Sequence, residues 1–119
     1  MIDMKPTITA ALRGNTALVT LLGGAKVYPE VSPDGTTLPY VTFFEITNFE
    51  ANNADDVEIE SEIHFQVDIW SKGNTGPPTA AVVEAMGELG FRRAGAADQY
   101  EKETKTYHKI LRFKTTTEV

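Results

Sequence analysis

Three glutamates, Glu58, Glu60 and Glu62, recur at two-residue steps inside the stretch VEIESEIHFQVDIW, residues 57–70. On an extended chain such steps place carboxylates about 6.6–7 Å apart along one face. Carboxylate pairs at such separations occur in glycosidases. That chemistry also needs an aromatic cleft to hold the sugar. None surrounds this row, so a solvated or interfacial face is the simpler reading. Metal binding is a second possibility. His64 and His108, the two histidines of the chain, both fall in strand-like segments and could meet across a sheet with Asp68. Exposed strand histidines, however, are usually only exposed. Asn53, Asp55 and Asp56 cluster without the spacing of a calcium-binding loop. Ser32, Ser61 and Ser71 sit in no nucleophile motif, and Gly23-Gly24 reads as a helix stop rather than a phosphate loop. Trp70 ends the long stretch as a core edge or an interface anchor. No catalytic residue, cofactor site or metal site is assigned.

Bulk properties point the same way. A chain of 119 residues with 41% hydrophobic and 24% charged residues suits one globular domain over residues 1–119. The absence of cysteine excludes a disulfide framework and thiolate metal sites. No apolar run approaches the roughly 20 residues of a membrane span. The opening MIDMKPTITAALRG lacks the plan of a signal peptide, so a soluble product of the cytoplasm is expected. The net charge of −6 argues against general nucleic-acid binding. Its distribution is lopsided. Residues 27–71 contain ten acids and no lysine or arginine, whereas from Phe91 onward seven bases stand against four acids. Either the two segments neighbour each other in one sheet and pair across strands, or the acidic face meets something in an assembly.

The elements that must position these residues follow from periodicity. DMKPTITAALRG reads as a helix capped by Asp3, with Pro6 in its first turn and Gly14 at its end. NTALVTLLGG follows as a second helix, capped by Asn15, with Leu18, Leu21 and Leu22 as its apolar stripe. KVYPEV is a short strand, SPDG a type I turn, and LPYVTFFEITNF a strand rich in aromatic and β-branched residues. EANNADD reads as a polar loop joining that strand to residues 57–70 in an antiparallel hairpin with a long tip. In that last strand Val57, Ile59, Ile63, Phe65, Val67 and Ile69 alternate with polar residues, the signature of one buried and one wet face. PTAAVVEAMGELG is a helix with Val82, Met86 and Leu89 on one side, and RRAGAAD is a loop. The chain closes on a strand that places Tyr107, Leu111 and Phe113 together. The predicted class is α+β, a mostly antiparallel β-sheet with helices packed on one face.

One strand is too long for its domain. Fourteen residues at about 3.3 Å each would span about 46 Å, beyond the reach of a small sheet. Part of it is therefore expected to project as a long β-hairpin arm, a device typical of subunits that pair with copies of themselves or with neighbours. The candidate interface is Asn48, Phe49, Glu50, Asn52, Asn53, Asp55, Asp56, Glu58, Glu60 and Glu62, with Trp70 as an anchor.

With LLGGAKVYPEVSPDG, LPYVTFFEIT, EIESEIHFQVDIWSKG, MGELGFRR and YEKETKTYHKILRF in this order, the chain resembles the tail-completion (tail-terminator, head-tail joining) proteins of long-tailed bacteriophages and prophages. The resemblance implies a non-enzymatic virion subunit of the tail or neck, made in the bacterial host cytoplasm. It implies a ring, often of six copies, at the head-proximal end of the tail tube. Its partners would be copies of itself, the tail tube protein and the head connector or stopper protein. DNA would only pass through the lumen, and no membrane or cofactor would be involved. In such a ring the glutamates could line the lumen and repel phosphate, or they could pair with Arg112 and Lys114 of the last strand. The neighbouring role of a head-closure protein, and a different class altogether, a small-ligand-binding or hydrolytic domain using the acidic face with His64, stand as alternatives.

Overall fold

The computed structural model describes residues 1–55 and 57–118. Helices α1 (Lys5–Arg13) and α2 (Thr16–Leu22) lead into strands β1 (Val27–Pro29), β2 (Tyr40–Ala54) and β3 (Val57–Ser71). Helix α3 (Gly76–Glu88) and strands β4 (Arg92–Glu101) and β5 (Thr106–Glu118) complete the chain. The strands form one sheet in the order β1-β2-β3-β5-β4, antiparallel except for the β1–β2 pair. The α+β expectation holds, with the helices on one face.

Local chemistry explains most boundaries. Asn15 Oδ1 accepts the Leu18 N–H at 2.9 Å, and Gly23, at φ 74°, ends α2 in the left-handed conformation that glycine adopts freely. The cap expected from Asp3 does not form. Met4 occupies the N-cap position of α1, and Asp3 Oδ1 accepts the Lys5 N–H at 3.0 Å instead. The turn at residues 32–35 lies one position later: Thr36 N–H donates to Pro33 O, and Gly35 at φ 80° fits the third position of a type II turn.

The core lies between helices and sheet. Ile8, Leu12, Leu18, Leu22, Val82 and Met86 meet Val41, Phe43, Ile63, Phe65, Val67, Ile69, Leu111 and Phe113. Phe65 packs against Phe43 and, edge-on, against Phe91, with ring centroids 6.1 and 6.0 Å apart. Two residues expected in this layer lie outside it: Leu21 and Tyr107 are exposed.

Two predicted loops are strands. EANNADD continues β2 to Ala54, so the hairpin turns tightly at Asp55, whose φ is 50°, rather than through a long tip. Asp56 lies outside the described residues. RRAGAAD is the first part of β4. Its small residues have weak strand preference, but the backbone groups of β5 need partners and recruit it as an edge.

Candidate functional site

Alternation along β3 survives only where helices stand behind it. From Ile63 to Ile69 every odd residue is fully buried, whereas Val57 is 62% and Ile59 41% exposed. With Phe49, 46% exposed, they make the distal hairpin an arm that is apolar and open to solvent. The long axis of the molecule measures 52 Å, against 28 and 25 Å for the others. Beyond Phe43 the outer edge of β2 has no partner strand among the described residues, because β1 pairs only with Val41, Thr42 and Phe43.

The glutamate row does not exist as a row. Asn52 pairs with Glu60 and Asn53 with Glu58, so the register skips Ile59. This bulge turns Glu58 to the helix side, where it accepts from the α-amino group of Met1 at 2.6 Å and from the Ser61 hydroxyl. The Met1 ammonium, then the Ser61 hydroxyl, hold the Glu58 carboxyl below the usual glutamate range. Glu60 faces Glu118 across β3 and β5, and Glu62 bonds His64 at 2.9 Å. The expected pairing of this row with Arg112 and Lys114 is not made. The register sets those bases opposite Gln66 and His64, and Arg112 Nε donates to Gln66 Oε1 at 3.3 Å.

The other candidates divide between structure and surface. Asn48 is engaged internally: its Nδ2 donates to Ile2 O at 2.7 Å and to Glu45 Oε1 at 3.0 Å, tying the start of the chain to the root of the arm. Glu50, Asn52, Asn53 and Asp55 are exposed along the arm. Trp70 lies over the sheet face that no helix covers. Its indole stacks on His108 at 3.7 Å and on Tyr40 at 6.3 Å, and its Nε1 donates to Thr42 Oγ1 at 3.0 Å.

Beside Trp70, His108 Nε2 and Asp68 Oδ1 form a hydrogen bond of 2.7 Å, with side chains only 10% and 6% exposed. Gln66 Nε2 donates to the same Asp68 oxygen at 2.9 Å. Sequence alternation put Asp68 on a wet face and did not signal this pairing; what seals it is the register of Trp70 opposite His108. His64 lies six positions along β3 from Trp70, so the two histidines do not meet. Among the described residues no three histidine or carboxylate side chains converge as metal ligands.

The comparisons agree with this architecture. Residues 6–118 match the family model of the tail completion protein gp17. The chain belongs to that family. It is therefore a structural protein of a phage-type tail and a component of a virion. No curated protein matches it. Among solved structures, a chain in the virion of a native gene transfer agent particle shares the fold with a TM-score of 0.68 at 17% identity, over 94% of this chain and 92% of that one.

Proposed function

We propose that this family member caps the head-proximal end of a finished tail tube as a ring of six copies and joins the tail to the head connector. One observation carries the reading: a hairpin arm, continuous with the sheet, leaves the helical layer and exposes Phe49, Val57 and Ile59. Apolar residues on a projecting ribbon weaken an isolated subunit's solubility and are useful when another surface covers them. The role is structural rather than catalytic, with copies of the chain, the tube protein and the connector as partners and DNA passing without specific contacts. Assembly is timed by the tube, so the free protein is monomeric in dilute solution. The test is to mix purified protein with tail tubes that lack it and to image the ends by electron microscopy. The expected result is a ring at one end and no further tube growth. Bare ends on tubes that keep elongating would refute the reading, as would a dimer that persists at nanomolar concentration.

A further inference from the structure

We propose that the acidic arm of one copy docks on the uncovered sheet face of the next, in a trough over β4 and β5. This rests on the ring reading above and adds the surfaces that meet.

The trough is built by small residues. Gly95 and Ala97 face Arg112 and Ile110 across the β4–β5 pair, and the lack of side-chain bulk at these two positions lowers the surface beside Ile110. A shallow recess of about 300 Å³ opens there, lined by Ala94, Gly95, Ala96, Ala97, Ile110 and Arg112. Basic side chains flank it. Arg92 pairs in register with Lys114, two residues along β5 from Arg112, so three bases stand close together, with Glu62 as the one carboxylate lining the recess beside Arg92 and Lys114 among the described residues. Among the described residues none of the three is in an ion pair. Like charges facing each other across strands repel, and an acidic visitor relieves them.

The arm has the complementary character. Between Phe49 and Glu60 its sequence contains Glu50, Asp55, Asp56, Glu58 and Glu60 and no lysine or arginine, only Glu58 among the described residues being paired, with the Met1 ammonium, and it exposes Phe49, Val57 and Ile59. Its own trough is out of reach. Arm and trough belong to one sheet, in which β3 of the arm is itself laddered to β5, so the hairpin cannot fold back over its own β4–β5 face. The occupant is therefore a second copy. A contact between two different patches is heterologous, the type that closes into a ring when the rotation between copies permits.

The cysteine-free chain allows a direct test. Protein carrying Asn53→Cys is mixed at high concentration with protein carrying Ala97→Cys and oxidised. The expected product is the mixed disulfide, with little Asn53→Cys or Ala97→Cys homodimer. Adding Glu50→Lys and Glu60→Lys to the arm partner, or Arg92→Glu and Arg112→Glu to the trough partner, should each cut the yield by about tenfold. Combining both reversed partners should restore it, while thermal melts confirm that every variant is folded. Equal cross-linking of Asn53→Cys to a Lys102→Cys control, arm–arm homodimers, or no mixed product would overturn the proposal. A short DNA duplex bound by the wild type and lost with Arg92→Glu and Arg112→Glu, without cross-links, would assign the trough to DNA and also overturn it. Rings on tube ends without the mixed disulfide would sink this docking and leave the ring; absent rings would sink the ring itself.

Discussion

By sequence spacing Val57 and Val67 share one phase of an alternating strand, but the bulge at Ile59 lies between them, and Val67 is fully buried whereas Val57 is 62% exposed. Replacing each with alanine measures where the folded core ends. Alanine lacks two of valine's carbons, worth about 1.6 kcal/mol of transfer free energy when fully buried. At Val67 the surrounding Phe43, Ile69 and Leu111 cannot collapse completely into the gap, so a cavity term raises the cost to about 2–3 kcal/mol. At Val57 only the buried third or so of that area is lost. The cost there is about 0.6 kcal/mol, plus a few tenths for lost β-branching. The assay is urea unfolding of both variants followed by circular dichroism, with the slope checked for constancy. Near 3–5 °C per kcal/mol for a chain of this length, thermal melts should show roughly the same ratio. Equal losses at the two positions would refute the reasoning, because the arm would then be covered in the free protein. A Phe49→Ala, Val57→Ala, Ile59→Ala triple variant should remain folded and lose the capping of tail tubes.

Glu60 faces Glu118, so Glu60→Gln should stabilise the fold by a few tenths of a kcal/mol, and the gain should shrink in high salt; a loss of stability at low salt would contradict the register. Asp68→Ala removes one half of a buried hydrogen bond and leaves His108 Nε2 without its partner, a loss of about 1–3 kcal/mol by denaturant unfolding. A change under about 0.5 kcal/mol would show that this pair is solvated. Amide exchange in the free protein should be fast from Phe49 to Ala54 and slow from Ile63 to Ile69, because only the latter have helices behind them and strands on both sides. Equal protection would contradict a projecting arm.

Much of the fold was legible in local pattern. The alternation of residues 57–70, the spacing of Ile8 with Leu12 and of Val82 with Met86, and the stops at Gly14, Gly23 and Gly90 each report a period or a backbone requirement that acts within a few residues. The projecting arm was legible too, from length alone. β4 was not, because Ala94, Gly95, Ala96 and Ala97 carry no strand preference; they are extended only because β5 offers them a ladder.

By itself, then, the sequence determined the class of the protein: helices on one face of an antiparallel sheet, an acidic hairpin longer than its core, and no constellation of nucleophile, metal ligand or phosphate loop. Tertiary structure alone decided which charges meet. The bulge at Ile59 breaks the glutamate row, sending Glu58 to Met1 and Ser61 and leaving Glu60 opposite Glu118. The β3–β5 register brings Asp68 to His108, 40 residues away, with Trp70 stacked on the imidazole. Strand register depends on summed packing over a whole sheet, and a one-residue slip moves every side chain to the other face. Period two says that a face exists; only the partner strands say which charges share it.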